Sequence, residues 1–150
     1  MSSKTRMIGS ITLCGFFVLL DQLFKHYARN NPQITWYILK PWFGWEYFNN
    51  PGVAFSLPIP QWFTLSITPF ALLFIILFLI HCYSTKQNAY AFASLLIFCG
   101  ALSNYIDRVI FGGTIDYIRI ATGVINIADI LITAGVIIFL FTKNPLKNES

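Results

Sequence analysis

Four long apolar runs constrain the fold of this chain more than any other feature of its sequence. They lie at residues 7–24, 62–83, 89–107 and 124–141, and each is close to the ~20 residues that a helix needs to cross a bilayer core of ~30 Å. Of the 150 residues, only 11% are charged, whereas soluble domains carry about 25%. The sequence therefore predicts one integral membrane domain with four transmembrane helices, covering residues 1–150.

The first apolar run could instead be a cleaved signal peptide, because Lys4 and Arg6 precede it. No small-x-small cleavage pattern follows this run. The chain continues with Asp21-Gln22-Leu23-Phe24-Lys25, which is compatible with a helix. We therefore expect the first run to be a retained transmembrane helix.

Two connections, residues 25–61 and 108–123, are expected on the same side of the membrane. The first is rich in aromatic residues, which favour the headgroup region, and in prolines, which exclude a long helix. We expect two or three short strands there, at the membrane surface. In the second, Gly112-Gly113 predicts a turn and Thr114–Ile120 an extended segment. The predicted fold is an α-helical integral membrane protein with a small extracytoplasmic β-rich segment between helices 1 and 2.

The number of basic residues on each side does not decide the orientation. With the N-terminus inside, five lie in the cytoplasm and five outside, which is a tie under the positive-inside rule. Net charge favours this arrangement because five of the six acidic residues then fall outside, which leaves the inner side more positive. In addition, two of the outer basic residues sit beside acids at helix ends. We therefore expect both termini in the cytoplasm. The inner set is Lys4, Arg6, Lys86, Lys143 and Lys147, and the outer set is Lys25, Arg29, Lys40, Arg108 and Arg119.

Other ligand classes find little support in the composition. The net charge of +4 comes from scattered basic residues, so no nucleic-acid site is predicted. The cysteines lie in apolar runs without metal-ligand spacing and are interpreted as small buried hydrophobic residues. The two histidines are isolated, so we expect no metal and no cofactor. These residues are Cys14, Cys82, Cys99, His26 and His81.

Five acidic residues fall on the outer side in this topology. A carboxylate costs about 2.5–3.5 kcal/mol at the centre of a membrane helix on insertion scales, so four aspartates near helix ends suggest chemistry. The fifth acid is interpreted as an ordinary loop residue. They are Asp21, Asp107, Asp116 and Asp129, with Glu46 as the loop residue.

Two short motifs have ordinary structural explanations. Asp21 and Lys25 are four residues apart and can pair on one helical face; a helix-end ion pair at the interface, with a supporting role, explains them. Asn49-Asn50-Pro51-Gly52 has the composition of a turn, and it could also present an amide to a ligand near the lipid.

A polar stripe is predicted on the third helix, where Gly100, Asn104 and Arg108 recur at intervals of four beside Asp107. Glycine permits close approach of a neighbouring backbone, and the buried polar groups need partners. The stripe is either a structural hydrogen-bond network or a surface that orients a substrate.

Asp116 and Asp129 are close enough in sequence for their carboxyl groups to meet. Asn126 lies three residues before Asp129, so these two share a face of the fourth helix. Two carboxylates in contact cannot both ionise easily, and such a pair can supply an acid and a base. The alternative is a separate helix-capping role for each aspartate.

With these residues identified, the chain resembles the bacterial lipoprotein signal peptidases (signal peptidase II). Any one of the matching motifs is weak, but five in the right order are specific. Asp21–Lys25 resembles D-Q-x-x-K, Asn50–Ser56 resembles N-x-G-x-A-F-S, Gly100–Arg108 resembles G-A-x-G-N-x-x-D-R, Gly113–Ile118 resembles G-x-V-x-D-F, and Asn126–Asp129 resembles N-x-A-D. Ser103 departs from the pattern, since a glycine is usual there.

The resemblance implies an intramembrane aspartyl endopeptidase of the bacterial cytoplasmic membrane, with its active site towards the outer leaflet. Its substrates are diacylglyceryl-modified prolipoproteins, cleaved before the lipidated cysteine. Besides these substrates we expect membrane lipids as partners, no nucleic acid, and a monomeric protein. The implied catalytic pair is Asp116 and Asp129; Asn50, Gly52, Asn104, Arg108 and Asn126 line the substrate site; and Asp21, Lys25, Gly100 and Asp107 support it.

Two other classes of protein could also gather carboxylates in a membrane. An ion-coupled transporter would place them near the midplane and often contains repeats, whereas here they cluster at one edge and no repeat is visible. An assembly subunit would tolerate the loss of either Asp116 or Asp129.

Overall fold

Four helices form the body of the molecule in a computed structural model that describes residues 3–52 and 59–142. They are α1 (Ser3–Asn30), α2 (Gln61–Ser84), α3 (Asn88–Phe111) and α4 (Ile127–Phe141). The four predicted helices are therefore confirmed as helices. Several predictions concern parts of the chain outside the described residues, namely the motif positions Val53–Ser56, the side chain of Lys4, and Lys143 and Lys147.

The helix ends differ from the predicted ones where polar or strand-forming residues intervene. α1 continues past residue 24 to Asn30, and α3 continues past residue 107 to Phe111. α4 begins at Ile127 rather than at residue 124, because Gly123–Ile125 pairs as a strand and Asn126 caps the helix. Apolar composition alone could not show that residues 124 and 125 belong to a strand rather than to the helix.

Among the described residues, three helices are long and apolar enough to cross a membrane, namely α1, α2 and α3. α4 is apolar but has only 15 residues, which corresponds to about 22 Å at 1.5 Å per residue. It is thus shorter than the hydrocarbon core that the other three can cross.

The sheet draws its strands from two connections, which corrects the prediction of a β-rich segment between helices 1 and 2 alone. β1 (Trp36–Leu39) and β2 (Phe43–Asn50) precede α2, whereas β3 (Thr114–Ile120) and β4 (Gly123–Ile125) precede α4. All neighbours are antiparallel in the order β1-β2-β3-β4. The extended segment predicted at 114–120 is confirmed.

Strand pairing places acidic residues in two different settings. Glu46 lies on β2 rather than in a loop; its carboxylate is 3.4 Å from the Arg119 guanidinium and accepts a hydrogen bond from the Tyr37 hydroxyl. The β2–β3 register sets Phe48 opposite Asp116 and Asn50 opposite Thr114. The sheet thereby brings the end of the first connection beside Asp116.

α3 is the central helix and packs against α1, α2 and α4. A Cβ atom added at Gly100 would overlap the carbonyl oxygen of Ala128, and one at Gly135 would lie 2.7 Å from the carbonyl oxygen of Ala93. Glycine therefore permits the close contact of α3 with α4, as predicted for Gly100. One apolar cluster lies between these helices and α1, and a second joins α1 to the sheet through Ala28, Ile115 and Tyr117.

Candidate active site

Lys25 lies at the centre of a buried ion cluster at the end of α1. Its ammonium nitrogen is 2.7 Å from a carboxylate oxygen of Asp21 and 2.9 Å from one of Asp107, and no member of this trio is more than 1% exposed. The predicted Asp21–Lys25 pair is therefore confirmed. It is enclosed by protein, however, rather than anchored at an exposed interface, because α3 supplies the second carboxylate.

Each carboxylate of this ion cluster also accepts hydrogen bonds that fix its position. Asp21 accepts from the hydroxyls of Tyr117 (2.8 Å) and Ser103 (2.7 Å) and from the backbone N–H of Ile127 (3.0 Å). Asp107 accepts from the backbone N–H of Ile115 at 3.2 Å. Because these donors lie on α3, β3 and α4, the cluster joins the helices to the sheet.

Two participants in this cluster, Ser103 and Tyr117, were absent from the predicted site residues. Ser103 is fully buried on α3, one turn before Asp107, and it also accepts a hydrogen bond from the Gln22 amide at 2.9 Å. Tyr117 follows Asp116 on β3 and is fully buried. The signal for Ser103 was its spacing of four from Asp107; for Tyr117 it was its position directly after Asp116 in a predicted strand.

Asp116 and Asp129 are held by amide groups instead of by cations. The Asn126 side-chain amide donates to Asp116 at 2.6 Å, and the Asn50 amide donates to its other oxygen at 3.1 Å. Asp129 accepts from the Asn104 amide at 2.8 Å and from the backbone N–H of Asn126 at 3.3 Å. Within residues 3–52 and 59–142, neither carboxylate has an ion-pair partner.

Asn126 connects the two aspartates. While its side-chain amide donates to Asp116, its side-chain oxygen accepts from the backbone N–H of Asp129 at 2.9 Å, which completes a capping box at the start of α4. Asp129 therefore has the helix-capping role that was predicted as the alternative to a carboxyl pair. It is also joined through one asparagine to Asp116, so capping and proximity occur together.

The electrostatic setting of Asp116 favours its protonated form. Burial, together with the charge of Asp129, raises the pKa of Asp116 to about 7, although the hydrogen bonds from Asn50 and Asn126 and the charge of Lys25 act in the opposite direction. The side chain is only 1% exposed. A carboxyl group with this pKa can exchange a proton near neutral pH.

Asn104 connects the two sets of aspartates. Its side-chain oxygen accepts from Lys25 at 2.8 Å and from Asn126 at 3.1 Å, while its amide donates to Asp129. The close contact at Gly100, one turn earlier on α3, holds this part of the helix against α4. The predicted polar stripe thus takes part in a structural hydrogen-bond network, which was one of its two predicted roles.

Asn50, Gly52 and Arg108 form the border of the site on the side of the first connection. The Asn50 side-chain oxygen accepts from the backbone N–H of Gly52 at 3.0 Å, so the chain bends directly after β2, whereas Asn49 and Asn50, which were predicted as part of a turn, are the last residues of that strand. The Arg108 guanidinium donates to the Gly52 carbonyl at 3.3 Å. The Nε atom of Arg108 is buried without a hydrogen-bond partner in the described part of the chain. All predicted site residues thus belong to the same region of the molecule.

No group of three or more His, Cys, Asp or Glu side chains suited to a metal ion occurs among the described residues. Cys14 and Cys82 are buried and Cys99 is partly buried, as expected of small hydrophobic residues.

Comparison with known proteins identifies the family. A family model described as signal peptidase (SPase) II matches residues 13–143. The lipoprotein signal peptidase of Lactococcus lactis subsp. lactis is 35% identical over 127 residues, covering 81% of this chain and 83% of that protein. The lipoprotein signal peptidase of Bartonella tribocorum is 33% identical over 136 residues, covering 83% and 79%.

Comparison with solved structures shows that the fold is that of known bacterial membrane enzymes. A structure described as a bacterial membrane enzyme, obtained by the in meso method at 2.3 Å resolution, has a TM-score of 0.81 and 27% identity, over 95% of this chain and 93% of that one. A second, at 1.9 Å resolution, has a TM-score of 0.73 and 25% identity. The class is therefore a membrane enzyme of the aspartic-peptidase type. Within it, this chain belongs to the signal peptidase II family, and the resemblance found in the five motifs is confirmed.

Proposed function

We propose that this lipoprotein signal peptidase uses Asp116 and Asp129 as its catalytic pair, removing the signal peptide from diacylglyceryl-modified prolipoproteins by cleavage before the lipidated cysteine. One observation carries the assignment of the pair: Asn126 binds both carboxylates, although no cation that the structure describes pairs with either. Two buried carboxyl groups whose charges interact, as those of Asp116 and Asp129 do, can divide the roles of acid and base between a protonated and an ionised form.

In the proposed reaction, Asp129 is ionised and Asp116 is protonated. Asp129 takes a proton from water while the Asp116 proton polarises the scissile carbonyl, so the water oxygen bonds to the carbonyl carbon. The C–N bond of the resulting tetrahedral intermediate breaks as the proton held by Asp129 passes to the leaving nitrogen, which becomes the amino group of the lipidated cysteine. The former carbonyl carbon leaves as the carboxyl group of the signal peptide, and Asp116 again holds its proton. The pKa of about 7 supports Asp116 as the acid.

The surrounding residues have two proposed roles. Arg108 is suited to bind a substrate carbonyl because its guanidinium has a buried N–H without a partner in the described residues, next to Gly52. Asn50, Asn104 and Asn126 orient the aspartates, and with Arg108 and Gly52 they border the substrate. The supporting residues are Asp21, Lys25, Gly100 and Asp107.

The finer membrane arrangement is also a proposal. Residues 1–150 would form a single membrane domain with four spans, both termini in the cytoplasm, and the site towards the outer leaflet. α4 is shorter than the ~30 Å hydrocarbon core, which supports a position for Asp129, in its first turn, below the level of the headgroups. The exposed apolar residues Trp36, Ile38 and Trp42 support a sheet that lies on the membrane surface.

Labelling of introduced cysteines tests the orientation in intact cells. Lys40 and Lys86 are both exposed, on the sheet side and in the α2–α3 turn. A membrane-impermeant thiol reagent is expected to label Lys40→Cys and to leave Lys86→Cys unlabelled until the cells are permeabilised. The opposite pattern would overturn the proposed orientation.

The catalytic assignment is tested with purified protein and a diacylglyceryl-modified lipoprotein precursor. Wild type should cleave before the lipidated cysteine, and Asp116→Asn and Asp129→Asn should each lose at least about a hundredfold in rate, the lower range for a group that transfers a proton. Retention of the wild-type rate by either variant, with the fold preserved by circular dichroism, would exclude that residue. The unlipidated precursor serves as a control and should be cleaved poorly.

A further inference from the structure

An apolar groove lies far from the aspartates, between the beginning of α1, the end of α2 and the beginning of α3. Its volume is about 360 Å³, within the range of about 300–1,000 Å³ that is typical of ligand sites. Its walls are mainly apolar and include Ile11, Leu79, Ile80, Phe92 and Leu95. The cavity can therefore hold hydrocarbon.

The packing of the helices explains why this space exists. α1 and α2 each pack against α3, but they make few or no direct contacts with each other. A groove consequently remains between them with α3 as its floor. Arg6 is fifteen residues before Asp21 on α1, roughly 22 Å along a helix axis, so the groove and the candidate active site are at opposite ends of the molecule.

The rim of the groove carries positive charge without a nearby described carboxylate. Arg6 and Asn88 are exposed and line the rim together with Tyr83, and Lys86 lies in the adjoining turn. The acidic residues that the structure describes all belong to the two aspartate sets or to β2. A bound molecule that matches this surface needs an apolar chain and an anionic group.

We propose that the groove binds one anionic phospholipid, with an acyl chain along α3 and the phosphate beside Arg6 in the leaflet away from the aspartates. Basic residues at a membrane surface attract anionic lipids. The signal peptide of a substrate matches this rim poorly, because its charged N-terminal region is itself positive. The lipid thus occupies a site separate from the one proposed for cleavage.

Native mass spectrometry of the full chain, released from detergent with added lipid, tests the site. Phosphatidylglycerol should bind as one retained molecule and phosphatidylcholine more weakly. Arg6→Gln should weaken phosphatidylglycerol binding about fivefold, the usual contribution of one basic residue. Lys40→Gln removes another exposed charge, on the sheet side, and should leave binding unchanged. Equal effects of these two variants, or equal binding of the two lipids, would overturn the proposal.

A second pair of measurements tests the apolar part. Ile11 is half-exposed in the groove, so Ile11→Trp should fill it and prevent retention of the lipid while the helical circular dichroism is preserved. A photoreactive residue at position 11 should cross-link to lipid in membranes. Undiminished lipid binding by Ile11→Trp would contradict the proposal, as would cross-linking to residues 143–150 of the same chain or to another polypeptide.

Discussion

Two pairs of aspartates lie in one hydrogen-bond network but are held by different kinds of partner. Asp21 and Asp107 share the Lys25 ammonium at 2.7 and 2.9 Å. Asp116 and Asp129 instead accept from asparagine amides and a backbone N–H. A carboxylate that is paired with a buried cation keeps its charge and fixes structure, whereas a buried carboxylate without a cation can keep a proton. The comparison assigns support to the first pair and chemistry to the second.

Removing the cation should produce the largest change in stability. Lys25→Met leaves two buried carboxylates without their partner, and breaking a buried pair in this way costs about 3–5 kcal/mol. We expect a corresponding drop in the free energy of unfolding, measured by denaturant titration in detergent. Lys40→Met is the matched control because Lys40 is exposed. Equal stability of the two variants would show that the ion cluster does not hold the fold.

Asn126→Ser separates the capping role of Asn126 from its contact with Asp116. Serine caps helices about as well as asparagine, but it has no amide to donate to Asp116. The cleavage rate should fall roughly 5- to 150-fold, equivalent to the about 1–3 kcal/mol that it costs to leave a buried acceptor without its donor, while the helix remains stable. Asn126→Ala should lose about 1 kcal/mol of stability as well, because the cap is removed. A wild-type cleavage rate for Asn126→Ser would show that the hydrogen bond from Asn126 to Asp116 is not needed for cleavage.

Gly100→Ala tests the helix contact that both pairs require. The added methyl group would overlap the Ala128 carbonyl and lie 2.8 Å from Ile132, so α3 and α4 must separate. We expect a loss of about 1–3 kcal/mol in stability, as for other overpacked sites, together with a lower cleavage rate. Gly15→Ala is the control, since nothing lies within 4 Å of its Cβ position. Equal stability and equal cleavage rates of these two variants would contradict the close contact of α3 with α4 at Gly100.

The smallest expected change is that of Tyr117→Phe. It removes one hydrogen bond to Asp21, whereas the Ser103 hydroxyl and the Ile127 N–H remain bound to that carboxylate. The free energy of unfolding should fall by about 0.5–1.5 kcal/mol, and cleavage should persist. Tyr27→Phe, at a half-exposed tyrosine, should leave unfolding unchanged. A complete loss of cleavage by folded Tyr117→Phe would place Tyr117 in the chemistry.

The sequence predicted the parts of this arrangement that depend on local pattern. Apolar runs indicated the four helices, and spacing indicated the Asp21–Lys25 pair and the polar stripe on α3. It could not predict that half of the sheet comes from the α3–α4 connection, because strand pairing between distant segments leaves no local signal. Val124-Ile125 suits a helix or a strand equally well, so the start of α4 was also missed. Ser103 and Tyr117 were not predicted as site residues because uncharged residues stand out less than aspartates in an apolar chain.

The pH dependence of cleavage tests the difference between the two pairs most directly. If protonated Asp116 is the acid, the fraction of enzyme that carries this proton is constant well below the Asp116 pKa of about 7 and falls tenfold for each pH unit well above it. The kcat/KM of wild type, measured on the lipidated precursor across neutral pH, should therefore decline on the alkaline side with a midpoint near 7. A value that stays flat or rises from neutral to alkaline pH, with the protein folded throughout, would contradict the assignment of the proton to Asp116.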